Sequence, residues 1–481
     1  MATRAATRPH PIFLAGRWVD SPDVLEISNP ADPGTPAGAT YHATPEQYEE
    51  ATQAAVAAFE VTRDMAAYER GNILRSISDG IRARREELAR LITLESGKPI
   101  RDALVETDRA VLTFRLGAEE AERLYGETIP LDLMPSSKGR IGVTRRFPIG
   151  PVAAISPFNF PLNLAAHKVA PAIAAGCPIV LKPPSKDPLV MLAVGEIIEG
   201  AGAPAGSVSI LPMTRQLGDR MVADPRYKLL TFTGSPAVGW GMKERAGNKK
   251  VVLELGGNAA VIVDRDADLG WAAKRTVVGA FAYAGQVCIS VQRMFIHADV
   301  YDAFLSRFTA AASTLRLGDP MDPETDLGPM VDERAAARTQ EWVDEAVRMG
   351  GRVVLGGRAR GTYFEPTILT DTPVEARVCS SEAFAPLVVV SPFRDFDDAI
   401  RQVNASSYGL QTGVFTNDLG NAWSAFERLE VGGVIVNDIP TYRIDHMPYG
   451  GVKESGLGRE GLRWAIDDMT EIRIMVVARP G

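Results

Sequence analysis

The stretch VAAISPFNFPLNLAAHKVAPAIAAGCPIVLKPPSKD (152–187) decides the fold. It opens on a short β-rich run, VAAIS (152–156), and passes through a proline-framed loop. A helical stretch near 162–175 ends at Gly176, and a second apolar run, PIVL (178–181), follows. Strand, helix and strand in about 30 residues is the βαβ unit of a parallel sheet. The alternation continues through VSIL (208–211) and KLLTF (228–232), with helices near 188–201 and 214–223 between. Asp187-Pro188 reads as the start signal of the first of these helices, and Gly200 and Gly202 as its end. The class is α/β, with a doubly wound parallel sheet.

Toward the N-terminus, residues 12–30 read as two short strands and a turn. Residues 44–126 read as helical: Thr44-Pro45-Glu46 supplies an N-cap, a first-turn proline and an early acid. Gly97 and Pro99 close the periodic segment ILRSISDGIRARREELARLITLESGKP. KGRIGVTRRF (138–147) alternates like an exposed strand. After Glu254 a second α/β series begins: VIV (261–263), a helix from about 268, RMFIH (293–297), a helix from Tyr301, RVVLGG (352–357), LVVVSPF (387–393) and VIVN (434–437). The tail TEIRIMVV (470–477) alternates polar and apolar residues.

The chain has 481 residues, enough for about three lobes. Its apolar content of 46% and charged content of 23% are ordinary for a globular protein and exclude a disordered or collagenous chain. A formal charge of −8 repels a phosphate backbone, which argues against a nucleic-acid partner. Three cysteines, Cys177, Cys288 and Cys379, make no disulfide framework and fit a reducing, cytoplasmic setting. MATRAATRPHPIF lacks the apolar core of a secretory signal. The uncharged run from Phe147 to Ala166 holds Pro148, Pro151, Pro157 and Pro161, so no membrane span is expected there. No cysteine or histidine pair has metal-ligand spacing, and no metal is expected. No GxSxG elbow and no GKS or GKT phosphate loop is present.

Several short motifs carry chemistry. FTGSPAVG (232–239) joins a strand to a helix; Gly234 and Gly239 permit tight turning, and the helix start offers N–H groups to a pyrophosphate. LKPPSK (181–186) puts Lys182 at the carboxyl edge of a strand, where α/β sheets bind ligands; a solvated turn lysine is the plainer alternative. Glu254, in LELGGNAAVIV, is the one charge in an apolar run, and desolvation there raises a carboxyl toward the range of a general base. A strand-end glutamate paired to a distant cation is its rival. Cys288, in AGQVCIS, is either a nucleophile, given a local positive field, or a small buried hydrophobe. Asn159, on the loop after VAAIS, is placed to donate to an oxyanion or merely to shape the turn.

Taken in order, ISPFNFPLN, KVAPAIAAGCPIVLKP, FTGS, LELGGN, GQVC, SSEAFAP (380–386) and MPYGGVKESGLGREG (447–461) resemble the aldehyde dehydrogenase superfamily along essentially the whole chain. The resemblance implies a Rossmann-type cofactor domain (1–123 and 147–255), an α/β catalytic domain (256–446) and a small β oligomerisation arm (124–146 and 462–481). It implies oxidation of an aldehyde to a carboxylate with reduction of NAD or NADP. Cys288 would attack, Asn159 would hold the oxyanion, and Glu254 would activate water against the thioester. Lys168 and Glu460 would lie near the proton exit. Ser156, Pro157, Phe158, Lys182, Ser185, Gly234, Ser235, Gly239, Leu255, Glu382 and Phe384 match cofactor positions. Ala385 stands where a glycine is more usual. Ser185 replaces an acid frequent in NAD-preferring members, and Lys186 follows it, so NADP is expected to be tolerated. The stretch NDIPTYRIDHMPYGG (437–451) resembles the branch acting on lactaldehyde, phosphonoacetaldehyde and sulfoacetaldehyde. Arg115, Arg443 and His446 would then form a cationic pocket for a small polar or anionic aldehyde; a semialdehyde such as succinate semialdehyde is equally open. The alternative is that Arg443 pairs with Asp438 or Asp445 and Arg115 lies on a helix surface. Val287 leaves its edge of the pocket apolar. A coenzyme A-acylating relative and a non-catalytic binding protein are the rival readings, and a homodimer or homotetramer is expected.

Overall fold

A computed structural model describes residues 8–478. The segments MATRAAT (1–7) and 479–481, part of the signal-sequence and arm readings, lie outside them.

The chain between Thr44 and Ala121 forms four helices: α1 (Pro45–Thr62), α2 (Ala67–Ala83), α3 (Arg85–Ser96) and α4 (Ile100–Ala121). Thr44 caps α1 as expected, accepting from Gln47 N at 3.2 Å while the Gln47 side chain returns the bond at 2.9 Å. Gly97 closes α3 in the left-handed conformation, φ 71°.

The first large sheet has eight strands. Its parallel centre runs, in spatial order, Val208–Ile210, Ile179–Lys182, Val152–Ile155, Leu229–Thr233 and Lys250–Glu254. The chain starts at Val152–Ile155, builds toward one edge, then returns to build on the other side. The crevice at the carboxyl ends of Val152–Ile155 and Leu229–Thr233 is the switch point at which such sheets bind ligands. The crossovers are α5 (Asn163–Ala175), α6 (Leu189–Gly200), α7 (Arg215–Ala223) and α8 (Pro236–Arg245).

The start of α6 differs from the sequence expectation. Asp187 does not cap it: both carboxylate oxygens are buried without a hydrogen-bond partner. The cap comes from α3 instead, where Glu95 accepts from Leu189 N at 2.7 Å and Val190 N at 3.0 Å. A carboxylate beside a helix start is the expected partner for its free N–H groups; here it arrives from a different element.

The second sheet has seven strands. Thr367–Thr370, Leu387–Phe393, Arg293–His297, Ala260–Val263, Gln411–Phe415 and Gly433–Val436 run parallel in that order. The strands Thr367–Thr370, Gln411–Phe415 and Pro36–His42 have no counterpart in the periodicity reading, and residues 12–30 hold three short strands, the last of which, Asp23–Ser28, pairs with Pro36–His42. A third sheet pairs Thr128–Pro130, Arg140–Pro148 and Thr470–Ala478. The strand expected over 470–477 is present, preceded by a helix. Leu462–Asp468 is a helix whose Leu462 and Ile466 belong to the apolar core shared with α5, so strand geometry starts only at Thr470.

The cap from Glu95 yields a prediction. Glu95→Ala leaves the Leu189 and Val190 N–H groups buried and unsatisfied, at about 1–3 kcal/mol each. The denaturation midpoint should fall, and Glu95→Gln, which keeps one acceptor, should recover part of the loss. Equal midpoints for all three proteins would remove the cap.

Candidate active site

Cys288 is delivered by a strained turn. Helix α9 (Leu269–Phe281) ends, and Tyr283, Ala284 and Gly285 follow with φ of 48°, 51° and 66°. Non-glycine residues at positive φ are held only where the surroundings enforce it. Here a Cβ on Gly285 would lie 2.1 Å from the Ala385 carbonyl oxygen, so the two loops are in backbone contact. Burial pushes the Cys288 thiol up to about 12, and a hydrogen bond with Tyr449 opposes that push.

Asn159 stands beside this turn. Its Nδ2 donates to the Gln286 carbonyl at 3.0 Å. Its own carbonyl accepts from Lys98 Nζ at 2.7 Å. Lys98 also pairs with Glu106 of α4, and both side chains are buried. The second oxygen of Glu106 accepts from Leu162 N at 2.9 Å and Asn163 N at 3.1 Å. One ion pair thus holds the middle and the far end of the loop that carries Asn159. Lys98 lies 3.8 Å over the Phe160 ring and 4.6 Å over Tyr283, on the same strained turn.

Glu254 ends its strand fully buried, with neither carboxylate oxygen hydrogen-bonded. Burial pushes its carboxyl well above the ordinary range, and Glu460 adds to this; Arg443 and Lys168 pull the other way. Among the described residues no charged partner pairs with it directly, which removes the strand-end ion pair as an explanation. A Cβ on Gly450 would lie 2.8 Å from Glu254 Oε1, so only glycine fits there.

Lys168 and Glu460 come together, Nζ to Oε1 at 3.4 Å, and Lys168 also donates to Thr233 Oγ1 at 2.7 Å. Arg443 donates to the other Glu460 oxygen at 2.9 Å. Burial pushes Glu460 up, but Lys168 and Arg443 outweigh it and hold the carboxyl low. Arg443 therefore pairs with neither Asp438 nor Asp445. Asp438 is taken by Arg275, and Asp445 by Arg109 and His167.

The cationic side of the site is redrawn. Arg443 has a side chain only 6% exposed, its Nε lacks a partner, and its guanidinium lies 3.8 Å from the Tyr449 ring centre. Arg115 is 56% exposed and faces Glu119 on the surface of α4; His446 is exposed. The arginine of α4 that meets the Arg443 neighbourhood is Arg109. It lies 5.9 Å over Phe160 and binds Asp445, which also accepts from Asn163 and His167. Helical geometry separates the two arginines. At about 100° per residue, Arg109 stays on the flank of Glu106, whereas Arg115 points the opposite way. Counting from Glu106 inside the apolar stripe of α4 would have found this.

At the switch point, Lys182 is largely buried without a hydrogen-bond or ion-pair partner among the described residues, and burial lowers its ammonium. Ser156 Oγ is buried and unpartnered. Ser235 precedes α8 without capping it, and Gly234 N donates to the Glu254 carbonyl at 3.0 Å. A Cβ on Gly239 would lie 2.4 Å from Leu255 Cδ2, so the glycine lets Leu255 close over the helix start. Glu382 accepts from Gly257 N at 3.0 Å, and burial pushes it up to about 7. Phe384, at φ 50°, meets Phe158 edge to face at 5.8 Å. Pro157 sits in the same loop, half-buried. Unused donors, a bare helix start and two aromatic rings fit a dinucleotide. Ser185 is exposed, but Lys186 is not free: it pairs with Asp332 at 2.8 Å. Among the described residues no cluster fits a metal ion, and no helix is long and apolar enough to cross a membrane.

The family model described as the aldehyde dehydrogenase family matches residues 18–475. The chain belongs to the aldehyde dehydrogenase family. It is 42% identical to a 3-sulfolactaldehyde dehydrogenase of Priestia megaterium over 478 residues, 99% of this chain and 100% of that protein. It is 37% identical to the NADP(+) succinate-semialdehyde dehydrogenase of Escherichia coli, over 97% of each chain. The crystal structure of aldehyde dehydrogenase 21 from Physcomitrella patens in complex with the reaction product succinate is similar at a TM-score of 0.96. Its identity is 46%, over 98% of this chain and 99% of that one. The α/β fold expected from the βαβ pattern is that of this family.

The Lys98–Glu106 pair gives the second prediction. Removing one partner of a buried ion pair costs about 3–5 kcal/mol. Lys98→Met should lower the denaturation midpoint by a corresponding amount and cut kcat through the freed Asn159 loop. A variant with the native midpoint and turnover would show that the pair holds nothing.

Proposed function

We propose that this aldehyde dehydrogenase oxidises a small aldehyde carrying an anionic group, with NAD or NADP as hydride acceptor and the carboxylate as product. The observation that carries the reading is Arg443. A buried guanidinium with an unpartnered Nε lies on the ring of Tyr449, whose hydroxyl meets Cys288 Sγ at 2.9 Å. Arg109 adds a second cation: it binds Asp445, which His167 links to Arg443. A carboxylate or sulfonate suits such a pair. The names of the relatives, sulfolactaldehyde and succinate semialdehyde, belong to anionic aldehydes and support the same class.

In this reading Cys288 attacks the carbonyl carbon, and the Asn159 amide and the Cys288 N–H receive the oxyanion. The bound NAD(P) supplies the ring that accepts the hydride. Glu254 then takes a proton from the water that attacks the thioester. Glu460, held ionised between Lys168 and Arg443, opposes ionisation of Glu254 and keeps its proton affinity high. Lys182, Ser235, Glu382 and Phe384 hold the cofactor. The lobe built on the first sheet, within 8–123 and 147–255, is the cofactor lobe, and 256–446 the catalytic lobe. Ser185 presents no acid to a 2′-phosphate, which supports use of NADP, although Lys186 must leave Asp332 to help. The strand Thr470–Ala478 presents Ile472, Ile474 and Met475 to solvent on an open edge, which supports a homo-oligomer.

Initial rates of cofactor reduction across neutral, hydroxylated, carboxylated, sulfonated and phosphonated aldehydes test the reading. Anionic substrates should have the highest kcat/KM. Arg443→Ala and Arg109→Ala should each lower it by about 1.5–3 kcal/mol, the worth of a hydrogen bond to a charged group, with neutral aldehydes affected least. Preference for neutral aldehydes would return both arginines to structure.

The catalytic assignments carry their own test. Cys288→Ala should abolish turnover while leaving cofactor binding. Glu254→Gln should release one burst of reduced cofactor and then stall. Because a base acts deprotonated and the Glu254 carboxyl is raised, wild-type kcat should climb with pH until that group is ionised. A Glu254→Gln variant that keeps the wild-type rise of kcat with pH would remove Glu254 as base.

A further inference from the structure

Tyr449 is buried beside Ile289, Leu410, Val287 and Cys288, an apolar setting that a phenylalanine ring would fill equally well. What tyrosine adds is one hydroxyl. Among the described residues that hydroxyl has a single hydrogen-bond partner, Cys288 Sγ. A buried hydroxyl left unpaired is destabilising, so its direction toward the sulfur is set by need as well as by shape.

The residue is also unusually well fixed. Tyr449 N donates to the Glu460 carbonyl at 3.0 Å, and Glu460 N donates back to the Tyr449 carbonyl at 2.6 Å. The Arg443 guanidinium covers one ring face at 3.8 Å, inside cation–π range, and is itself tied to Glu460. A cation on the ring face draws density from the phenol and makes its O–H a stronger donor. The next residue, Gly450, lies against Glu254.

We propose that Tyr449 is a catalytic residue: its hydroxyl donates to the Cys288 sulfur, favours the thiolate, and is released as sulfur bonds to the aldehyde carbon. The thiol proton is lost to solvent. The thiolate lone pair forms the S–C bond, and the carbonyl π pair moves to oxygen. Tyr449 keeps its own proton throughout, and nothing is oxidised in this step. The product sulfur is a thioether, a weak acceptor, so the hydrogen bond lapses as the covalent bond forms. The groups facing the sulfur set the balance. Burial raises the thiol, Glu382 and Glu254 add to that, and Tyr449 and Arg443 oppose it. Tyr449 touches the sulfur itself, whereas Arg443 acts through space and through the ring.

The proposal rests on Cys288 being the reacting thiol, and the experiment separates the two. The rate of alkylation of the full-length, cofactor-free enzyme by iodoacetamide is measured against pH, with Cys288→Ala defining the labelling that belongs to Cys288. In Tyr449→Phe the rate for Cys288 at a fixed pH below its midpoint should fall roughly ten-fold, the equivalent of about one pH unit in the midpoint. NADPH binding, followed by fluorescence, should be unchanged. An unchanged rate in the folded variant overturns the proposal. The intact protein offers a second arm that needs no such variant. Replacing its tyrosines by the more acidic 3-fluorotyrosine should raise the rate at that pH, and no change overturns the proposal as well. If Cys288→Ala is labelled as fast as the native protein, the assignment of Cys288 itself falls.

Discussion

Glu460 is the interaction on which the site depends. It is a buried carboxylate held by two buried cations, Lys168 from α5 and Arg443 from the segment that returns from the second sheet. Charges of this kind are costly to bury singly and tolerable only as a matched set. The set also has a mechanical consequence. Holding Glu460 fixes Tyr449 through their paired backbone bonds, and the strand Gly456–Leu457 pairs with Leu253–Glu254 at the edge of the first sheet. One returning segment therefore brings a cation, a phenol and a bare glycine against residues from both sheets.

The electrostatics follow from that placement. Glu254 and Glu460 share one dry region, and the cations sit nearer Glu460. Glu460 stays low and Glu254 is raised by burial and by its neighbour. Two carboxyls pushed apart in this way acquire different roles: one is a fixed countercharge, the other a group able to take up a proton. Cys288 lies beside this region and is partly exposed, so its reactivity is set by the groups that face it, Tyr449, Arg443, Glu382 and Glu254, while its proton can still reach solvent.

Close backbone approach is the second constraint. Gly285 meets the Ala385 carbonyl, Gly256 would place a Cβ 2.1 Å from Glu382 Oε2, and Gly257 would place one 2.7 Å from the Cys288 carbonyl. These glycines let three loops converge within van der Waals distance around the sulfur. Alanine at 385 is accommodated because the contact uses its carbonyl, with the positive φ carried by Phe384.

Local chemistry already determined much of this in the sequence. The βαβ alternation, the Thr44 cap, the Gly97 stop, the strand-to-helix turn at Gly234 and the isolated charge of Glu254 each depend on neighbours within a few residues. Pairings across the fold were not legible. Glu95 replaces Asp187 at the start of α6 because helix N–H groups donate to whichever carboxylate tertiary packing brings to them. Arg115 lies away from Arg443 because six residues of helix turn it to the side of α4 opposite Glu106, while Arg109 stays on the Glu106 flank. Tyr449 is not legible in the sequence because a tyrosine in MPYGG reads as core; among the described residues its hydroxyl meets only the Cys288 sulfur. The sequence determined the elements and the reactive residue types. The tertiary structure decided which charges meet, because a buried ion's partner is selected by distance in space and leaves no spacing in the chain.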